Sequence, residues 1–385
     1  MDILKYGCGI DMAKEKFDVH LLGINSVMQF QNLGSRTFDN NHSGFKEFHK
    51  WVRRFCKQDV PVVYLVEATG SYHENLSMFL YSAGEFISVV LPNKSKRYME
   101  CLGLKSKTDG IEAYGLSHMA CSQEHRKWKA PTGAMYRLRV ITRQIENMAS
   151  LKTSARNQLE ALVYSMERHK DIEKMLEDQI RFYEKQRMVL ISKLNEIVKE
   201  DPALEKKLGH LVSIKGVGIL TAATIIAETN GFELFENSAQ LVSYAGYDVV
   251  ENQSGKREGK TKISKKGNGH IRRILYFPSL NVVTRKVGPF RKFYERISER
   301  SKVKMKGYTA VQKKLLVIMY TLWKNEVPFN ENHVWSYNKT SGEQEKESSL
   351  VSVSKKRSTK KVAPDLSEAT QDKHPSINRS MSSLV

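Results

Sequence analysis

Apolar residues open the chain in short runs, not in long periodic stretches. Tyr6 to Ile10 reads as a strand that ends in Asp11, and Lys16 to Leu22 as a second strand after the turn Met12-Ala13-Lys14-Glu15. Gln29 to Leu33 is a weaker third. Then the period changes. From Ser43 to Cys56, the residues Phe45, Phe48, Trp51, Val52 and Phe55 fall on one stripe, the spacing of an amphipathic helix. Pro61 to Val66 is β-branched and continuous, as in a buried strand, and runs into Glu67. His73 to Ser82 predicts a helix, Phe86 to Leu91 a strand stopped by Pro92, and Asp109 to Cys121 a further helix with Ile111, Leu116, Met119 and Ala120 apolar.

Three strands, then helix, strand, helix, strand, helix, over residues 1–125, match an α/β ribonuclease H-like (RuvC-like) arrangement. Doubly wound nucleotide-binding folds alternate strand and helix from the start. Residues 135–200 contain no Pro and carry apolar residues mostly at three- and four-residue steps, from Leu138 to Met166 and again from Ile172 to Ile197. Two long coiled-coil helices are expected. An ordinary helical bundle would show a similar pattern, but so narrow a stripe over such a length favours a coiled coil that dimerises. Residues 207–326 predict a mostly α-helical domain that opens with Leu211 to Gly218 and the apolar helix Ile219 to Glu228. Apolar content then falls, and residues 336–385 are expected to be a disordered basic tail.

Charge adds a partner to this picture. The 385 residues hold 62 Lys and Arg against 42 Asp and Glu, a formal charge of +20. Such an excess repels itself in the compact state and is usually kept for a polyanion. Its location decides the question: residues 250–320 hold 19 Lys and Arg against four acids. A concentrated basic region is a nucleic-acid footprint, and Lys256, Arg257, Lys260, Lys262, Lys265, Lys266, Arg272 and Arg273 are its candidate phosphate contacts. The aromatic residues among them, such as Tyr276, Phe277, Phe290 and Tyr308, are more often core than base-stacking groups. Four scattered cysteines without a Cys-x-x-Cys pair argue against a zinc site and a disulfide framework. No apolar run is long enough to span a bilayer, and the first residues lack a signal peptide's apolar stretch. A cytoplasmic protein without a membrane partner is expected.

Three features carry chemistry. Asp11 and Glu67 end strands, while Asp109 and Glu112 lie one helical turn apart and share a face. Acids gathered at neighbouring strand ends repel unless a divalent cation sits between them, and hard oxygen ligands suit Mg²⁺ or Mn²⁺. One such acid alone would be an ordinary solvated carboxylate; four in this order are harder to dismiss. Gly216-Val217-Gly218, between two apolar segments, resembles the turn of a helix-hairpin-helix unit that approaches phosphate, or a simple helix-helix turn. Ser254 lies in a polar loop crowded by cations that could help a hydroxyl to attack phosphate. By loop composition alone, a serine that only bonds within its turn is the better reading.

Taken in order, these segments resemble the insertion-sequence transposases with an Asp-Glu-Asp-Asp site, among which are the pilin-gene inversion recombinases. The resemblance spans roughly residues 6–326. It rests on Gly9-Ile10-Asp11-Met12-Ala13-Lys14, Val66-Glu67-Ala68-Thr69-Gly70 and Lys107-Thr108-Asp109-Gly110-Ile111-Glu112-Ala113. It continues with Ile214-Lys215-Gly216-Val217-Gly218, Tyr244-Ala245-Gly246, Ser254-Gly255 and Lys265-Lys266-Gly267-Asn268. It implies a RuvC-like domain, a coiled coil and a C-terminal transposase domain. It further implies Mg²⁺ on Asp11, Glu67, Asp109 and Glu112, and attack by Ser254 on donor and target DNA to form a 5′-phosphoserine. A structured bridge RNA as guide, and homodimers paired into a tetramer in a bacterial, nucleoid-associated setting, are implied too. Glu112 departs from the pattern, which has Asp there. The competing readings are a resolvase-type metal-dependent nuclease that uses water, an actin-like ATPase, and a non-enzymatic nucleic-acid-binding protein. The ATPase lacks a second glycine-rich phosphate loop, and the last reading leaves the ordered acids without a role.

Overall fold

The computed structural model describes residues 2–68, 70–104, 108–251, 253–254, 257–259 and 261–331. Three antiparallel strands lead: β1 (Ile3–Met12), β2 (Lys16–Asn25) and β3 (Phe30–Asp39). Then come α1 (His42–Phe55), β4 (Val62–Glu67), α2 (Glu74–Ser82), β5 (Phe86–Val90), α3 (Pro92–Cys101) and α4 (Asp109–Ser122). The sheet order is β3-β2-β1-β4-β5, with β1 antiparallel to β2 and parallel to β4, and β4 parallel to β5. This mixed sheet, with β1 at its centre, is the ribonuclease H-like arrangement that the order of elements predicts.

The period-two rule of strands explains its layers. Val62, Tyr64 and Val66 of β4 pack with Phe17, Phe38, Phe45, Phe48 and Trp51 on the α1 side. Val63 and Leu65, between them in sequence, pack with Leu116, Met119 and Ala120 of α4 on the other. Each fully buried side chain of this kind contributes about 1.5–3 kcal/mol. The stripe predicted for α1 is thus its buried face, and Asn41 caps that helix by accepting the Gly44 N–H at 2.9 Å.

Three details differ from the sequence reading. β1 does not stop at Asp11: Met12 continues it and pairs with Phe17. β3 runs ten residues rather than five, because an edge strand pairs through its backbone and can keep polar, exposed side chains. Pro92 ends β5 but also begins α3, at a helix start where its missing N–H has no partner to lose.

Helices α5 (Gly133–Val163) and α6 (Lys170–Glu200), 31 residues each, span about 46 Å at 1.5 Å per residue. They pack along one another, and Leu138, Ile145 and Met148 on one and Leu176, Leu194 and Ile197 on the other are buried. The next elements are α7 (Pro202–Val212), α8 (Ile219–Thr229), α9 (Ser238–Tyr244), β6 (Val249–Val250), β7 (Gln253–Ser254), β8 (Arg257–Glu258) and β9 (Lys262–Ile263). Four helices follow: α10 (Gly269–Ile274), α11 (Tyr276–Thr284), α12 (Phe290–Ser301) and α13 (Lys304–Asn325). α13 packs on α7, α9, α11 and α12 through Val311, Leu315, Leu316, Met319 and Leu322, while α5 lies against α8. The segment read as a basic tail, 336–385, lies outside the described residues. Among the described residues no helix is long and apolar enough to cross a membrane.

Candidate active site

The acidic site is built on β1 and α4. Gly7 and Gly9 of β1 let the α4 backbone press onto the strand: a Cβ on Gly9 would lie 2.1 Å from the Ala113 carbonyl oxygen and 2.2 Å from the Ser117 nitrogen. That contact sets the start of α4, with Asp109 and Glu112 in its first turn, toward the end of β1 that carries Asp11. β4 brings the third group. Ile10 pairs with Val66 in parallel register, so Asp11 and Glu67 are the next residues along both strands.

Three of the acids lie near enough to Asp11 to act on its charge. The Asp11 carboxyl is raised from 3.8 to about 6, first by burial and then by the charges of Glu112, Asp109, Glu67 and Asp18. Glu112, the residue that departs from the family pattern, acts on Asp11 more strongly than the other acids do. Glu67 is held from behind: the Ser95 hydroxyl, fully buried on α3, donates to its Oε2 at 2.5 Å. Sequence reasoning missed Ser95, since it sits in an unpredicted helix with no signal around it. The donor set is all carboxylate oxygen and suits a hard divalent cation. In the present arrangement, among the described residues, no three acidic, His or Cys side chains close into a metal-holding group. A cation would therefore have to draw these carboxylates together.

Ser254 is carried on a different element. It stands in β7 opposite Arg257 in β8, a two-residue ladder in place of the expected irregular loop. The side chains of Gln253, Ser254, Arg257 and Glu258, and all of Gly255, Lys256 and Lys260, lie outside what the structure describes. The hairpin is flanked by the β6–β9 ladder, where Val249 pairs with Ile263 and Val250 with Lys262. Lys262, Lys265 and Lys266 are exposed. Arg272 is turned inward: its Nη1 donates to the Ala245 carbonyl at 2.7 Å and the Asn268 carbonyl at 3.2 Å. Arg273 is exposed but pairs with Glu146. Arg272 thus braces the loop, a structural role that the charge pattern alone could not separate from phosphate contact.

The segments Tyr244-Ala245-Gly246 and Lys265-Lys266-Gly267-Asn268 form one joint. The Asn268 N–H donates to the Tyr244 carbonyl at 2.7 Å, and the Lys265 N–H to the Gly246 carbonyl at 3.1 Å. A Cβ on Gly267 would fall 2.3 Å from the Tyr244 oxygen, so only glycine lets the two turns meet. Beneath the joint lies Glu228, buried at the end of α8. It accepts from Arg143 Nε at 2.7 Å and Nη2 at 2.9 Å, and from the Asn268 side-chain amide at 2.7 Å. Burial pushes the Glu228 carboxyl up, but bonds and charge from Arg143, with the Asn268 amide, hold it below its usual value. The predicted turn at Gly216 is also formed: φ is +108° there, and α8 begins at Ile219.

Comparison with known proteins agrees with this order. Residues 8–166 match a family model described as "Transposase", of the Asp-Glu-Asp-Asp IS110 type, and residues 209–295 match one described as "Transposase IS116/IS110/IS902 family". The chain is 27% identical over 324 residues to the pilin gene-inverting proteins of Moraxella bovis and Moraxella lacunata, covering 84% of this chain and 97% of each relative. Among solved structures, RuvC of Thermus thermophilus in complex with a Holliday junction substrate aligns at 11% identity and TM-score 0.23, over 29% of this chain and 90% of that one. The fold assignment rests on the strand order, not on that superposition.

Proposed function

We propose that the chain is a transposase of the IS116/IS110/IS902 family and that it cuts and rejoins donor and target DNA through a phosphoserine at Ser254. In this reading the Ser254 oxygen attacks a backbone phosphorus and the bond to the 3′ oxygen breaks. The freed 3′ oxygen takes up the proton that the serine loses, and a 5′-phosphoserine remains. The linkage conserves the energy of the phosphodiester, so that a 3′ hydroxyl can later reverse the step without ATP. Asp11, Glu67, Asp109 and Glu112 hold Mg²⁺ or Mn²⁺, which when bound offsets charge building on the phosphate. Lys262, Lys265 and Lys266 hold the backbone in line. The observation that carries the reading is the gathering of Glu112, Asp109 and Glu67 round Asp11, whose carboxyl burial and these charges, with that of Asp18, raise to about 6.

Partners follow from the same reading. A structured guide RNA selects the sites in the bacterial nucleoid. A second copy pairs along the α5–α6 hairpin, where Met175 and Phe182 remain exposed, and two such dimers make a tetramer. The test is to incubate the protein with labelled target duplex, guide RNA and Mg²⁺, denature it, and look for DNA-linked protein. Ser254→Ala should lose the band and still bind DNA. Cleavage without any adduct would favour hydrolysis by water, as in a resolvase-type nuclease, and an undiminished band in Ser254→Ala would overturn the assignment.

A further inference from the structure

The basic region holds an aromatic surface that the core does not use. α11 buries Pro278, Ser279, Val282 and Val283, but its first two residues, Tyr276 and Phe277, are 36% and 69% exposed. Their rings stand edge to face, 5.4 Å between centroids. A second pair, Tyr294 on α12 and Tyr308 on α13, lies tilted with centroids 4.5 Å apart. The helices that carry the second pair are ones that α11 packs against. Burial, then the Tyr294 hydroxyl and, more weakly, Tyr276 hold the Tyr308 hydroxyl above its usual value, while Arg291 pulls it down. One exposed Phe would need no explanation, but here two touching rings, Tyr276 and Phe277, are open to solvent together.

The surroundings say what the two rings fit. From Gly259 to Tyr294 the chain contains no Asp or Glu. Lys292 and Arg296 are exposed on α12, while Arg273, one turn before Phe277, is exposed but paired with Glu146. An apolar protein partner gains nothing from such a field, whereas a polyanion with flat apolar faces gains from both parts of it. We infer that Tyr276 and Phe277 form a stacking platform for unpaired nucleobases, with the neighbouring cations on the phosphates. In a duplex the base faces are stacked on each other and closed to a ring. The occupant is therefore a single-stranded stretch, of opened DNA or of looped RNA. The inference rests on the proposed action on nucleic acid and names the form of nucleic acid that this surface takes.

The full-length protein is titrated with four fluorescent 20-mers: oligo-dT, oligo-U, an abasic strand of the same charge, and a duplex. Wild type should prefer both base-bearing single strands to the abasic one. Phe277→Ala should weaken binding of oligo-dT or oligo-U by about 5- to 100-fold, and the tighter of the two identifies the source. Binding of the abasic strand should not change, nor should the slope of affinity against salt, because no phosphate contact is lost. Phe277→Trp should restore binding, with the new indole quenched by the base. The unfolding midpoint should hold in both variants, since the ring is exposed. Equal binding of base-bearing and abasic strands by wild type, or equal weakening of both by Phe277→Ala, would overturn the platform. So would a change in sedimentation of Phe277→Ala with single-strand affinity intact, which would make this face a protein contact. Failure of wild type to bind any of the four would instead remove the proposed function itself.

Discussion

Arg143 and Glu228 form an asymmetric pair, and the asymmetry predicts the outcome of a double-mutant cycle. The Glu228 side chain is 1% exposed and that of Arg143 is 48% exposed. Arg143→Met removes both guanidinium bonds and leaves a buried carboxylate with only the Asn268 amide. An uncompensated buried charge of this kind costs about 3–5 kcal/mol. Glu228→Gln instead leaves the charge on a guanidinium that water can reach, at about 1–2 kcal/mol. The double variant carries no stranded charge, so it should be more stable than Arg143→Met alone, with a coupling of about 2–3 kcal/mol. The pH dependence has a sign. In wild type the Glu228 carboxyl is held low, so its stabilisation is present above the carboxylate's unfolded value and is lost as pH falls through the folded one. Without Arg143, burial dominates and raises the carboxyl. Protonation then relieves the strain, and the deficit of Arg143→Met should shrink between pH 7.5 and pH 5. Urea unfolding followed by circular dichroism measures each quantity. A double variant less stable than Arg143→Met, or an Arg143→Met deficit that grows toward acid, would refute the reasoning.

The acidic site makes a second test of linkage. Asp11 is raised from 3.8 to about 6, so the folded, metal-free protein prefers the protonated form and loses that stabilisation as pH rises through this window. Mg²⁺ needs the ionised form. Its effect on the thermal unfolding midpoint should be small at pH 5, large at pH 7.5 and absent in Asp11→Asn; an equal Mg²⁺ shift at both pH values would count against the assignment. Packing makes a third: Gly9→Ala drives a Cβ into α4 backbone and should cost about 3 kcal/mol or more, while Gly23→Ala meets only the flexible Ile3 side chain and should cost under about 1 kcal/mol. Thermal melts of the two variants compare them directly, and equal midpoints would show that α4 does not depend on Gly9.

The parts legible in the sequence were those set by local periodicity or by order along the chain. The continuous apolar run from Val62 to Val66 and the stripe from Phe45 to Val52 announce the sheet and its covering helix, because a strand covered on both faces is apolar throughout and a helix covered on one face is apolar along a stripe. The four acids are legible because each sits next to such an element. What stayed hidden depends on contacts between residues far apart. Glu228 looks like the polar end of an apolar helix, and nothing near it points to Arg143, 85 residues earlier. Ser95 becomes meaningful only once α3 lies behind β4. The aromatic residues of the basic region, read mostly as core, divide in the fold. Phe290 is buried and Phe277 is not, a distinction that depends on which helix face meets α13.

One helix face ties the acid-bearing sheet to the serine-bearing region. On α5, Tyr136 and Arg139 bind Glu74 at the start of α2, each at 3.0 Å. Farther along, Arg143 binds Glu228, and Glu146 pairs with His270 and Arg273. Positions 136, 139, 143 and 146 recur every three or four residues, so they share one side of a single rigid helix. Polar ties of this kind are directional, unlike apolar packing, and a helix sliding by one turn would break all of them together. α5 therefore links the start of α2 to the joint formed by Tyr244 and Asn268 through side-chain bonds along one face. Moving that joint away from the helix has to break the Arg143–Glu228 bonds, whose carboxylate is buried. Arg143→Met should therefore loosen the joint around Asn268 while leaving Asp11, Glu67, Asp109 and Glu112 in place.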